Sequence, residues 1–372
     1  MKTALEYGRL ACDTMINRYG VNGLPPQKYG HATFNYQQGV LLSGIASLYE
    51  RTKEERYLRF VLEWAKEVQD EKGEIREYND WISRKSLDFR QGGYVLAYLY
   101  EKTGDEHYLQ LVKGLAESMD DYPVNRAGGF WHMSTTPNQM WLDGLYMVGP
   151  LMTRYARLSG RKVYLECAVQ QAEIMYEHMR LPENGLLSHG WDPEKEAEWA
   201  DPVIGRSPQV WGRACGWFVA AIADMLDDIP QDDARRERLL AIQRPVIEAI
   251  LRCQSDDGRW YQVPDQWQRE GNWPETSCTS LFVYAICKGV RQGYLPEEAY
   301  ASARRAYERV METLLPAPEG EIRIGGICAG TCIDEGTYEH YIQRPRLENG
   351  IHGMGVFIRM TTEMAYFETK NA

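Results

Sequence analysis

No stretch of this 372-residue sequence is apolar for long enough to cross a bilayer; the longest apolar run, Leu281–Cys287, is far too short. A basic surplus is missing too. Forty-two Lys and Arg against 53 Asp and Glu leave a net charge of −11, which argues against nucleic acid or an anionic membrane as partner, since each needs a basic face. The N-terminus, Met1-Lys2-Thr3-Ala4-Leu5-Glu6-Tyr7, meets polar and acidic residues at once and shows no apolar signal segment, so a cytoplasmic protein is expected. Eight cysteines are scattered without a C-x-x-C pair, and the closest two, Cys328 and Cys332, have no histidine cluster to complete a zinc site. Free thiols in a reducing compartment are the expectation. H-E-x-x-H, G-x-S-x-G and Walker motifs are absent. Cys215 has no evident histidine partner, which disfavours a thiol nucleophile. Phenylalanine is scarce, at 8 against 24 Tyr and 11 Trp. Aromatics with a polar handle suit surfaces that stack and hydrogen-bond together, as carbohydrate sites do, although helix packing accounts for most of them.

What is present is helical period almost throughout. Twelve helical segments are predicted, at 2–18, 35–51, 54–71, 87–103, 105–121, 142–159, 161–180, 210–228, 232–254, 276–292, 296–315 and 350–368. Alternating patterns are confined to short runs such as Gly258–Val263 and Glu321–Ile327. Three segments end alike, at Leu48-Tyr49-Glu50-Arg51-Thr52, Leu99-Tyr100-Glu101-Lys102-Thr103-Gly104 and Arg154-Tyr155-Ala156-Arg157-Leu158-Ser159-Gly160. Each leads into a second helix opening on Arg56-Tyr57-Leu58, His107-Tyr108-Leu109 or Val163-Tyr164-Leu165. This is a helical-hairpin repeat. Links within pairs are short, whereas those between pairs (72–86, 122–141, 181–209, 255–275, 316–349) are long and must share one face, where function is expected. An open solenoid needs a polar capping repeat, yet Met354-Gly355-Val356-Phe357-Ile358 near the end is apolar. The expectation is therefore an all-α, closed (α/α)6 barrel forming a single domain over 1–372, with Gly-rich first helices in a crowded inner ring.

Twelve residues before Tyr49, Tyr100 and Tyr155 stand Gln37, Asp88 and Asp143, each at or near the start of an inner helix. Helix capping is the plain alternative for the two aspartates. Asp143, however, sits in a block rich in Trp, His and Met, and desolvation with a second carboxylate nearby predicts a raised pKa suited to an acid. Arg213 and Trp217 are four apart on one helix face, a fitting receptor for a sugar carboxylate; a loop salt bridge by Arg213 is the alternative. His189 and His352 read equally as polar contacts or as satisfied core histidines. Tyr36 adjoins Gln37 at the same mouth.

Five blocks carry a resemblance: Tyr36-Gln37-Gln38-Gly39-Val40, Gly128-Gly129-Phe130-Trp131-His132, Gln139-Met140-Trp141-Leu142-Asp143-Gly144-Leu145-Tyr146-Met147, Trp211-Gly212-Arg213 with Gly216-Trp217, and Ile351-His352-Gly353. In order and over nearly the whole chain they resemble the unsaturated rhamnogalacturonyl hydrolases, glycoside hydrolase family 105, related to the unsaturated glucuronyl hydrolases of family 88. The resemblance implies an (α/α)6 barrel without metal or organic cofactor. It implies Asp143 as general acid/base, Asp88 as second aspartate, and Tyr36, His132, Trp141, His189, Arg213 and Trp217 as substrate contacts. It further implies an unsaturated uronic-acid oligosaccharide as substrate, hydration of its C4=C5 bond, release of rhamnose or a rhamnose-ended oligosaccharide, and no obligate protein partner. Three rivals stay open: an unsaturated glucuronyl hydrolase, an (α/α)6 sugar 2-epimerase working through a histidine pair, and a non-catalytic helical-repeat binding protein.

Overall fold

The computed structural model describes residues 2–26, 30–76 and 85–368. Among them run thirteen α-helices: α1 (Ala4–Tyr19), α2 (Tyr36–Thr52), α3 (Glu55–Glu67), α4 (Gly92–Thr103), α5 (Glu106–Glu117), α6 (Asp143–Ser159), α7 (Lys162–Met179), α8 (Gly212–Met225), α9 (Ala234–Arg252), α10 (Thr276–Arg291), α11 (Ala299–Glu312), α12 (Tyr338–Ile342) and α13 (Ile351–Glu368). The local signals behind them are ordinary. Thr3 and Glu6 form a capping box on α1, Asn35 accepts from Gln37 N–H and Gln38 N–H at the head of α2, and Asp105 and Asp233 cap α5 and α9. The repeated Thr-Gly and Ser-Gly endings act as stops, with Gly104 and Gly160 in the left-handed region at φ 70 and 73°.

Helices α2, α4, α6, α8, α10 and α13 each pack on the next, and α13 returns to α2, so the ring closes. Outside it, α3, α5, α7, α9 and α11 each lie on the inner helix that precedes them, and α1 lies on α13. The sixth pair is thus made by the two ends of the chain, joined where Ala4 N–H donates to the Glu368 carboxylate at 3.0 Å. This is the expected (α/α)6 barrel. Glycine lets the inner ring close: a Cβ on Gly44 would lie 2.5 Å from the Gly355 carbonyl oxygen, and one on Gly355 2.5 Å from that of Val40. Backbone cannot retreat as a side chain can. Gly355→Ala is expected to lower stability by about 1–3 kcal/mol, whereas Gly114→Ala on the outer helix α5, where a Cβ meets nothing within 4 Å, should be neutral or stabilising. Denaturant midpoints of the two variants check this.

The boundaries differ from expectation in two informative places. The segment 87–103 divides into a 3-10 turn, Leu87–Phe89, and α4. Its first residues are engaged elsewhere, since Leu87 N–H donates to the His132 carbonyl (3.0 Å) and Ser86 bridges Met133. The segment 54–71 ends at Glu67, because Asp70 turns the chain by accepting from the N–H groups of Lys72 and Glu74. Within the long link 72–86, residues 77–84 lie outside the described residues, as do the terminal residues 1 and 369–372 of the expected domain. Of the two alternating runs, only the second reaches a strand, β3 (Ile327–Cys328) paired with β4 (Arg346–Leu347); Tyr261 makes a single bridge to Pro274.

At the end of the barrel away from the long links, three inner helices meet in a buried ion cluster. Asp224 of α8, fully buried, accepts from Arg359 of α13 at 2.6 and 2.7 Å and from Lys288 of α10 at 2.8 Å. Burial acts to raise its carboxyl pKa, but these two cations outweigh it and hold the group far below its ordinary value.

Candidate active site

The long links are stitched together edge to edge over the open mouth. Beyond the contacts of residues 86–87 with 132–133, His132 N–H donates to the Gln139 carbonyl at 2.8 Å. Strand β1 (Met140–Trp141) pairs antiparallel with β2 (Gly190–Trp191), and Leu142 N–H donates to the His189 carbonyl at 3.0 Å. His189 N–H continues the row to Gln209 at 3.1 Å. Five residues in or directly after three separate links (Asp88, His132, Trp141, Asp143, His189) are thereby brought side by side.

Their side chains form two acid–histidine contacts around one indole. The Trp141 ring stacks on His132 at 4.4 Å and 14°, and lies 5.8 Å from His189. Asp88 Oδ1 lies 3.5 Å from His132 Nε2, and Asp143 Oδ2 lies 3.2 Å from His189 Nε2. Neither atom of the second pair is aligned for a full hydrogen bond, and His132 Nδ1 also lacks a partner. Two buried polar atoms that face each other without a full hydrogen bond call for a ligand that supplies it. Neither aspartate serves the capping role: α6 begins without a side-chain cap, and Asp88 sits on the 3-10 turn ahead of α4.

The protonation of Asp143 departs from expectation. Burial acts to raise its pKa, but the His189 ring, then His132 and Arg213, outweigh burial and bring it below the ordinary carboxylate value. His189 is pushed down as well, by burial first, against the pull of Asp143. At neutral pH the unliganded site therefore holds an ionised Asp143 and a neutral His189. The spacing points only to a second carboxylate; the three neighbours that lower the pKa, His189, His132 and Arg213, come from other parts of the chain and are not read from it. His189 Nδ1 is fixed by the Tyr341 hydroxyl at 2.8 Å, a residue of α12 that no local pattern singles out.

Arg213, the second residue of α8, is buried beneath this group. It makes no loop salt bridge. Its Nη1 donates to the Cys328 carbonyl at 2.6 Å and its Nη2 to that of Ala329 at 2.7 Å. Two carboxylates act on its charge, Asp143 and the buried Glu275, which holds the Ser277 hydroxyl at 2.7 Å. The aromatic plane against the guanidinium is that of Trp211, 4.3 Å from its centroid. Trp217, paired with Arg213 by spacing, is buried one turn deeper against Tyr146 at 4.7 Å. Helix spacing places the two on a face but does not say which ring bends over the guanidinium. His352 Nε2 shares the Cys328 carbonyl at 3.0 Å, and burial, with Arg213, lowers its pKa to about 3, so it serves as a neutral prop of the same loop. Tyr36 opens α2 beside this charge cluster; its phenol is pushed up to about 12 by burial and by the charges of Asp88 and Asp143, against that of Arg213. Among the described residues no group of three or more His, Cys, Asp or Glu is placed to hold a metal ion.

A closed (α/α)6 ring whose loop-bearing mouth presents two carboxylates amid stacking aromatics defines a class, the helical-barrel glycosidases. The family model for Glycosyl Hydrolase Family 88 matches residues 9–368, and the chain belongs to that family. It is 32% identical to a family 105 glycoside hydrolase of Clostridium acetobutylicum ATCC 824 whose solved structure superposes with a TM-score of 0.88 over 96% of this chain and 99% of that one. It is 25% identical over 350 residues to the unsaturated rhamnogalacturonyl hydrolase YesR of Bacillus subtilis, covering 91% of this chain and 90% of that protein. The unsaturated glucuronyl hydrolase of Bacillus sp. GL1 shares the fold at 13% identity, with a TM-score of 0.71 over 96% and 95% of the two chains. The chain is a glycoside hydrolase. No helix among the described residues is long and apolar enough to cross a membrane.

Proposed function

We propose that this enzyme hydrates the C4=C5 bond of a terminal unsaturated galacturonic acid on rhamnogalacturonan oligosaccharides and so releases rhamnose or a rhamnose-ended oligosaccharide. The observation that carries the reading is the facing pair of unpartnered buried atoms on Asp143 and His189, set above the buried Arg213 guanidinium. The C4=C5 bond belongs to a vinyl ether, so protonation at C4 leaves a cation at C5 stabilised by the ring oxygen. Asp143 gives that proton and then takes one from the water attacking C5. The hemiketal formed at C5 opens and frees the next sugar. A single carboxyl acts as acid and then as base, so the two-carboxylate spacing of ordinary glycosidases does not govern the reaction. Asp88 orients sugar hydroxyls, Arg213 attracts the uronate, and Tyr36, Trp141 and Trp217 contact the ring. The reaction uses no metal or organic cofactor and no obligate protein partner. The eight cysteines are all free and five are fully buried or nearly so, which supports a reducing, cytoplasmic setting.

The histidine pair does not support an epimerase, because each ring faces a carboxylate and His189 has its other nitrogen taken by Tyr341. The test of the reading is substrate chemistry. A saturated galacturonide of the same linkage should resist cleavage, while the unsaturated one loses its alkene absorbance. Efficient cleavage of the saturated sugar would make this a conventional hydrolase.

An ionised Asp143 in the free site has a consequence. The uronate offsets Arg213 and excludes water, and both effects raise the carboxyl pKa in the complex. Between the lowered free value and the raised bound value, binding takes up a proton, so affinity should rise as pH falls through that window. Calorimetry in two buffers of different ionisation enthalpy reads the uptake, which should vanish in Asp143→Asn.

A further inference from the structure

Resting on the assignment of Arg213 to the uronate, we infer that Glu275 is the positioning residue for that contact: it holds Ser277 and Cys328, and through them fixes the Arg213 guanidinium with one edge kept for the ligand. Glu275 is fully buried and stands directly ahead of α10. Arg213 is on α8, and Cys328 belongs to the long link before α13. Three separate parts of the chain therefore meet at one carboxylate.

The carboxylate makes two kinds of bond. It caps α10 by accepting from the Ser277 N–H at 3.1 Å and from the Cys278 N–H. It also accepts from the Ser277 hydroxyl at 2.7 Å and from the Cys328 N–H of β3 at 2.8 Å. Capping explains the first pair; the second pair leads to Arg213. The Cys328 carbonyl accepts from Arg213 Nη1 at 2.6 Å, and the Ser277 oxygen accepts from the same nitrogen at 3.4 Å. Glu275 thus grips one end of residue Cys328 and Arg213 grips the other. The Ser277 hydroxyl lies between them, giving its proton to the carboxylate and a lone pair to the guanidinium. Burying a cation is costly unless an opposite charge answers it, and here the answer comes through one layer of polar groups.

That layer decides what remains for a ligand. A guanidinium has five N–H bonds. Cys328, Ser277 and Ala329 take one each. Among the described residues nothing takes the Nε–H or the second hydrogen of Nη2, and these two form an edge that holds a carboxylate bidentately. A direct bidentate bridge from Glu275 would compete with the uronate for such donors. Set behind Ser277 and Cys328, Glu275 supplies countercharge and position and leaves the edge open.

The experiment reads the preference for a free uronate over its neutral methyl ester, as the ratio of inhibition constants of a saturated galacturonide and its ester at neutral pH. Those constants do not depend on which bond the enzyme attacks. In the unaltered enzyme the acid should bind about tenfold more tightly or better, and Arg213→Gln should bring the ratio near one. Glu275→Gln keeps the shape but cannot accept from both Cys328 and the head of α10. It should cut the ratio to about threefold or less by weakening the acid alone, and should raise KM for the unsaturated acid about tenfold with kcat changed by less than about threefold. Added to Arg213→Gln, it should move the ratio no further, because the two residues act as a unit. If Glu275→Gln does not fold, Ser277→Ala carries the test: it keeps the backbone bonds of the cap and should cut the ratio by about twofold to threefold. A ratio unmoved by the folded Glu275 variant or by Ser277→Ala, or equal weakening of acid and ester, overturns the inference and leaves Arg213 as the uronate contact. A ratio unmoved by Arg213→Gln overturns both.

Discussion

Asp143→Asn lowers kcat by about a thousandfold, within the range that a positioned acid or base contributes, and leaves both the barrel and substrate affinity at acid pH in place. Asparagine keeps the shape and can still face His189 Nε2, 3.2 Å away in the unaltered protein. It cannot deliver a proton to C4 or take one from water. The substitution costs little structurally, because α6 draws no side-chain cap from Asp143. Asp88→Asn should behave differently. Its carboxylate contacts His132 at 3.5 Å and is a quarter exposed, so it positions rather than reacts, and its loss should divide between KM and kcat. Alkene absorbance gives the rates and thermal melting gives the fold. An Asp143→Asn enzyme that keeps a tenth of its turnover would remove Asp143 from the acid/base role, and an unfolded one would make it structural.

The sequence tells much about this site because the chain concentrates it. His132, Trp141 and Asp143 fall within twelve residues, and β1 carries them against the block holding His189. The barrel was legible for a similar reason: period, caps and the tyrosine repeat are local signals that agree with one another. What escaped is what tertiary closure decides. Tyr341 reaches His189 from 152 residues away, and Trp211 takes the place by Arg213 that spacing assigned to Trp217. The pairing of α1 with α13 joins the two ends of the chain. The direction of the Asp143 pKa turns on the sum of burial and three neighbours, and a sum of opposing terms cannot be signed from spacing alone.

The far end of the barrel supplies the largest expected effect on stability. Asp224→Ala should cost about 3–5 kcal/mol, since it leaves Arg359 and Lys288 buried without their common carboxylate. The loss is not the net worth of the cluster. Taking three charges out of water is itself costly, so replacing Asp224, Lys288 and Arg359 together by apolar residues of similar volume should recover much of the stability lost by the single change. Acid provides an independent reading. The Asp224 pKa is depressed in the folded protein, so its contribution is complete above the unfolded carboxylate value of about 3.9 and is lost as pH falls toward the folded value. The unaltered protein should therefore lose stability more steeply below about pH 4 than Asp224→Ala does, and the gap between the two should narrow as the pH falls. Urea melts of both proteins from neutral to acid pH measure that gap. A gap that stayed constant with pH would mean that the carboxylate's charge is not what holds α8, α10 and α13 together.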